Sequence, residues 1–287
     1  MKKQNRKKNR KNNLYARLQT QIKEHKSVFA VYIVLRLLVI VSLVLAVLRG
    51  DYESVFICSL VLGLFLVPAF VENSFGIELP SVLQIIILLF IFAAEMLGEL
   101  QSYYLHYPYW DTMLHTLNGF LCAAVGYSLV DLLNRSNRFS FSMSPLYLAI
   151  VAFCFSMTVG VLWEFFEFAM DMIFRTDMQK DTVITLISST ALDPSMSNRA
   201  VIIEGIESVA VNGTELGIGG YLDIGLLDTM EDMFVNFIGA VIFSVIGFID
   251  AKSPGHSRLL NSLLPRLRDH TSKDSEKTAS APEQDAE

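Results

Sequence analysis

The sequence predicts an all-α fold, a polytopic membrane helix bundle with six transmembrane helices and one long extracytoplasmic loop. Three observations predict it. Of its 287 residues, 52% are hydrophobic and only 18% charged, with a mean hydropathy of +0.43, whereas a soluble domain carries about 25% charged residues. The apolar residues gather in runs near the roughly 20 residues that a spanning helix needs. Lysine and arginine fall in alternate connections between those runs, as they do in membrane proteins of fixed orientation.

The runs are 29–48, 54–71, 82–100, 112–133, 146–174 and 230–249. The first exceeds the typical signal-peptide core of about 7–15 residues, and no small-x-small cleavage site follows it, so it reads as a retained span. Turn-forming stretches at 72–76 and 134–137 separate later runs. The basic stretch 2–26, the connection holding Arg135 and Arg138, and residues 252–268 fall on one side, while 103–110 carries neither Lys nor Arg. Both termini are therefore expected in the cytoplasm. The predicted organisation is a basic cytoplasmic segment (1–28), a six-span domain (29–250) whose extracytoplasmic loop covers 176–227, and a cytoplasmic tail (251–287). From Asp269 onward the tail is polar, with little to bury, and reads as disordered.

The net charge of −6 conceals two regions of opposite sign. A basic end beside an apolar span sets orientation, so the expected partner is the lipid bilayer, with no nucleic acid. Cys58, Cys122 and Cys154 sit in apolar runs without metal-ligand spacing and imply neither a disulfide nor redox chemistry. Within the loop, residues 208–211, Asn212-Gly213 and residues 214–217 read as a hairpin with a two-residue turn, its second strand weakened by Gly217, Gly219 and Gly220.

The ionisable residues inside the runs carry the functional signal. In hydrocarbon an ionised side chain costs about 2.5–3.5 kcal/mol even on lenient insertion scales, so such groups face one another, water or a ligand. Glu95 and Glu99 share a face of the third span. Asp111, His115 and Asn118 share one on the fourth, Glu164, Glu167 and Asp171 on the fifth, and Asp228, Asp232 and Asn236 on the sixth. With about 1.5 Å rise per residue, His115 lies roughly 6 Å deeper than Asp111, and Asp232 equally deeper than Asp228. All four stripes thus fall in the outer halves of their spans.

Plainer roles compete for some of these positions. Asp111 and Asp228 suit the first turn of a helix, where a carboxylate satisfies free amides and the helix dipole. Glu99 and Asp171 suit solvated headgroup positions. Glu164, His115, Asp232 and Asn236 lie a turn or more inside, where function is the better account. Arg36 can snorkel from the first span. Tyr103, Tyr104, Tyr107, Tyr109 and Trp110 form an interfacial aromatic belt, with His106 exposed among them. Gly119, Gly126, Gly160 and Gly239 permit close helix contact. His25, His256 and His270 lie in polar stretches and receive no role.

Crowded carboxylates in low dielectric require a cation. One candidate is a divalent metal, its identity left open among Mg, Mn, Fe and Zn, since carboxylate and imidazole stripes on facing helices build such centres. The other is protons. There is neither a His-Glu-x-x-His run nor a Gly-x-Ser-x-Gly elbow.

Trp110-Asp111-x-x-x-His115-x-x-x-Gly119-Phe120, then Trp163-Glu164-x-x-Glu167-Phe168-x-x-Asp171, then Gln179, then Asp228-Thr229-Met230-x-Asp232-x-x-x-Asn236-x-x-Gly239-Ala240 resembles the YjdF-like bacterial inner-membrane proteins. It is distantly similar to the VanZ-like teicoplanin-resistance membrane proteins. The resemblance covers about 95–248 and implies a bacterial plasma-membrane location, a cell-envelope setting and a site role for Gln179; it supplies no reaction. A departure from the pattern is the long insertion, 180–227, between Gln179 and Asp228.

These readings converge on an outward-facing site. Asp111, His115, Glu164 and Asp232 are its expected metal ligands, Glu167 or Asp228 a general base, and Asn236 and Gln179 orienting donors. The expected activity is that of a metal-dependent enzyme acting on a lipid, lipid-linked or small-molecule envelope substrate. The alternatives are an ion- or proton-coupled transporter, against which stand the lack of a visible repeat and of a polar group at the cytoplasmic end, and a structural or regulatory membrane protein whose stripes hold helices together.

Overall fold

A computed structural model describes residues 26–134, 143–252 and 258–267. The basic stretch before Lys26, Arg135 and Arg138, and the tail from 268 lie outside the described residues. Among the described residues six helices are long and apolar enough to cross a membrane, and each expected run coincides with one of them. The chain is an all-α polytopic membrane protein.

In chain order, α1 covers Lys26–Arg49, α2 Tyr52–Leu64, α3 Val67–Phe75, β1 Ile77–Glu78, α4 Ser81–Ile91 and α5 Tyr103–His106. Next come α6 Trp110–Asn134, α7 Pro145–Phe174, six short strands (β2 Val183–Ile184, β3 Leu186–Ser189, β4 Val201–Glu204, β5 Ala210–Val211, β6 Thr214–Glu215, β7 Tyr221–Leu222), α8 Leu226–Lys252, α9 Arg258–Leu263 and β8 Arg266–Leu267. Two departures from simple helices have local causes. Pro68 opens α3 and cannot donate to the turn before it, so the second span breaks into α2 and α3 at Phe65–Leu66. The third span ends in a π-helical stretch, Phe92–Glu99, where the Leu100 amide reaches back to the Glu95 carbonyl.

The chain forms two compact units. The first, which contains α1 to α5, is built on a core of Val28, Leu35, Val39, Cys58, Val61, Phe65, Leu88 and Met96, from α1, the second span and the third. Arg36 is partly buried and reaches back one turn to Tyr32, donating to its hydroxyl and stacking on its ring, which is the snorkelling geometry. Tyr103 packs on Tyr107 and Trp110 with ring centroids 4.8 and 5.0 Å apart. β1 pairs antiparallel with β8.

The second unit comprises Asp111–Gly126 and Ile150–Val245. Its three helical segments pack through small residues. A side chain at Gly119 would overlap the backbone of Asn236, and one at Gly239 would overlap the Thr116 carbonyl. A Cβ at Gly160 would stand 2.6 Å from the Asn236 amide nitrogen. The buried Ser156 hydroxyl donates to the Gly119 carbonyl at 2.7 Å, and Phe120 meets Phe243 edge to face at 5.1 Å. Glycine thus sets the helix spacing, as in membrane bundles whose backbones approach closely. The apolar side chains on the opposite faces of α7 and α8, among them Leu162, Phe165, Phe168, Phe234 and Ile242, are exposed as a lipid-facing surface requires.

The α7–α8 connection contains the expected hairpin. β5 pairs with β6 across Asn212-Gly213, both at positive φ (54° and 82°) as a tight two-residue turn needs. The second strand stops at Glu215, and Gly217 and Gly219 follow at positive φ. Two further pairings had no sequence signature: β3 with β4 and β2 with β7. Between β3 and β4, hydrogen bonds from the side chains and backbones of Ser195 and Ser197 hold the Asp193 carboxyl well below its ordinary value and fix the turn.

Substituting Gly239→Ala should cost about 1–3 kcal/mol, the usual penalty for overpacking. Gly63→Ala, whose added methyl would meet nothing within 4 Å, serves as a control. Thermal unfolding in detergent should separate the two variants; indistinguishable midpoints would show that this helix contact is not tight.

Candidate functional site

The second unit gathers the polar stripes of α6, α7 and α8. His115, Glu164, Glu167, Asp232 and Asn236 are all buried, and Asp111 is partly so. Period-3.6 spacing explains the selection. Glu164 and Glu167 lie on the inward face of α7, while Leu162, Phe165, Phe166 and Phe168 between and beside them are exposed.

The imidazole of His115 is the hub. Its Nε2 lies 3.4 Å from Asp111 Oδ1 and 3.6 Å from Asp232 Oδ2, and its Nδ1 lies 3.8 Å from Glu164 Oε1. Two sets of ligand atoms emerge, Asp111/His115/Asp232 and Glu164/Glu167/Asp232, with the atoms of each set within 4.8 Å of one another. Either could hold a metal ion. The 3.4 and 3.6 Å spacings are too long for good hydrogen bonds. They suit ligands sharing an ion, because bonds of about 2.0–2.2 Å to one centre place neighbouring ligand atoms about 3.0–3.6 Å apart.

Satisfaction of polar atoms points the same way. Glu164 Oε2, Glu167 Oε2 and Asp232 Oδ2 are buried without a hydrogen-bond partner, on residues only 4%, 7% and 3% exposed. Buried carboxylate oxygens are costly in that state, and a cation among them removes the cost. The remaining oxygens are positioned from outside. Trp163 Nε1 donates to Glu167 Oε1 at 2.8 Å. Gln179 Nε2 donates to Thr229 Oγ1 at 2.5 Å, on the first turn of α8.

The structure therefore brings five of the eight expected residues into one cluster, Asp111, His115, Glu164, Glu167 and Asp232, while Gln179 is bonded to Thr229 of α8. Glu167, read from sequence as a general base, stands among the ligand atoms. Asp228 is one step removed, its Oδ2 accepting from the Lys180 amide at 2.9 Å. Asn236 is engaged with helix packing: its Oδ1 accepts from Asn118 Nδ2 at 3.2 Å, and its amide nitrogen contacts Met157 Sδ. Glu95 and Glu99, on the third span, belong to the first unit. Thr229 was not legible as a site residue, since a single hydroxyl in a first helical turn carries no pattern of its own.

The insertion after Gln179 does not separate it from α8. β2 pairs with β7, and the Asp223 amide donates to the Thr182 carbonyl at 2.9 Å, so the excursion closes on itself. Asp171 accepts from the Thr176 hydroxyl and the Met178 amide at 2.7 Å and from the Gln179 amide at 2.9 Å. Residues 176–180 are thus clamped between Asp171 of α7 and Asp228 of α8. Gly225 permits the fit, because its φ is +80° and a Cβ there would stand 2.6 Å from the Gln179 Cβ. Partial burial and the neighbouring Asp177, Asp223 and Asp171 push the Asp181 carboxyl up from its ordinary value.

Fold and site together define a polytopic helical membrane protein with a buried carboxylate–histidine centre. The chain belongs to the family described as "Predicted membrane protein (DUF2238)", which it matches over residues 30–253. No curated protein and no solved structure matches it.

Asp171→Ala should release the clamp, leaving two backbone amides without their acceptor at about 1–3 kcal/mol for an unsatisfied group. The expected readout is faster hydrogen exchange at Met178 and Gln179 with the spans still protected. Unchanged exchange there would remove Asp171 from the positioning of Gln179.

Proposed function

We propose that this protein is a metal-dependent enzyme of the bacterial plasma membrane that acts on a lipid or lipid-linked envelope substrate, with both termini in the cytoplasm and the centre facing outward. The observation that carries this reading is the set of three buried, unpartnered carboxylate oxygens around His115, on residues contributed by two different helices. Asp111, His115, Glu164 and Asp232 act as ligands, joined by Glu167. Asp228, within electrostatic reach of Glu164, Glu167 and Asp232, is the candidate general base. Gln179 is an orienting donor held on α8 through Thr229, and Asn236 fixes the spacing of the helices that present the ligands.

A divalent ion held by these residues would act as a Lewis acid on a substrate oxygen. The lipid character of the substrate is supported by the wall of the site. The indole of Trp163 donates to Glu167 while 38% of the residue remains exposed among lipid-facing side chains. One ring thus separates the carboxylates from the outer face of α7. The similarity of the motif to VanZ-like proteins supports an envelope setting by analogy, and the placement of Lys and Arg supports the orientation.

Elemental analysis of detergent-purified protein should find a divalent metal that chelator removes and that a folded Glu164→Gln/Asp232→Asn variant lacks. Metal-loaded protein in bilayers of bacterial lipid extract should then change the level of a lipid species, followed by mass spectrometry, and the chelated protein should not. Metal without lipid turnover would sink the enzyme reading. Absence of metal after reconstitution with Zn, Mn, Mg and Fe would sink the metal reading and make proton flux in liposomes the next measurement.

A further inference from the structure

We infer that the centre holds two divalent cations that share Asp232. This rests on the metal reading above and goes beyond it in the number of ions and in the role of one residue. The two ligand sets have Asp232 in common, with Asp111 and His115 on one side and Glu164 and Glu167 on the other. A carboxylate has two oxygens and can give one to each ion, so Asp232 is the bridge. In known two-metal sites the ions stand about 3.5–4 Å apart, a separation that one carboxylate spans.

Charge supports the count. Asp111, Glu164, Glu167 and Asp232 carry −4 when ionised, and His115 adds nothing when neutral. One divalent cation leaves −2 in a buried site, and two leave zero, the state that costs least away from water. The unpartnered oxygens agree with this division. Glu164 Oε2 and Glu167 Oε2 belong to the set that lacks the histidine, so an ion confined to the Asp111/His115/Asp232 set would leave both without a partner. Ligand orientation is fixed separately on that side, through the Trp163 indole on Glu167.

Manganese(II) is the probe. Full-length protein in detergent, stripped with chelator and titrated with Mn(II), should bind two equivalents, and its electron paramagnetic resonance spectrum should show exchange coupling between paired ions. His115→Ala and Glu167→Gln should each halve the bound manganese and leave an uncoupled signal. One equivalent with an uncoupled spectrum in the wild type would overturn the two-ion centre and leave a mononuclear enzyme standing. Loss of all manganese from either folded variant would overturn it in the same way, and no bound metal at all, after the same titration with Zn, Mg and Fe, would remove both readings. If a variant fails to fold, the wild-type stoichiometry and coupling decide alone.

Discussion

The constraint on which the second unit depends is the cost of holding carboxylates away from water. Four of them meet around His115 on membrane-spanning helices, and three keep an oxygen with no hydrogen-bond partner. An arrangement of this kind loses stability unless something positive occupies it. A protein that needed only helix cohesion would do better with neutral partners, and this chain uses them nearby: Asn118 with Asn236, and Ser156 with the Gly119 carbonyl. Neutral polar groups join the helices, and charged ones form the centre. That division favours a bound cation over a structural role for the carboxylates.

The helix packing answers to the same constraint. Ligand atoms within 4.8 Å of one another come from α6 with α8 in one set and from α7 with α8 in the other, so the backbones of all three helices must be close. Gly119, Gly160 and Gly239 make that approach, each facing backbone or side chain that a Cβ would strike. Asn236 sits where two of these contacts converge. The small residues that looked like ordinary membrane packing are therefore what brings the acids within range of one another.

Much of this was legible in the sequence because charge inside an apolar run has so few explanations. The spans followed from run length, His115, Glu164 and Asp232 from their depth, and Asp111 and Glu167 from sharing helix faces with them. Asn236 shows where spacing stops short: it stands one turn from Asp232, on the same stripe, yet the glycines of two neighbouring helices set its partners, and no local pattern reveals which helices face it. Thr229 escaped because its value lies in its bond to Gln179, fifty positions away. The β2–β7 and β3–β4 pairings escaped because strands of two to four residues carry too little alternation to read. The Asn212-Gly213 hairpin was visible because its turn chemistry is local.

The α7–α8 connection shows how a long insertion can leave a site intact. Fifty positions separate Gln179 from Thr229, yet their side chains meet. The insertion leaves the base of α8 through β2 and returns through β7, so its hairpins lie on a closed excursion whose two ends are tied together. Asp171 and Asp228 then hold the entry strand to both helices by backbone amides, which any residue at 178–180 except proline could supply. Two of the acids that resembled members of the centre are thus used to fasten its rim. This explains why the acidic stripes of α7 and α8 extend one turn beyond the buried cluster: the inner residues form it, and the outer ones also fix the segment that carries Gln179.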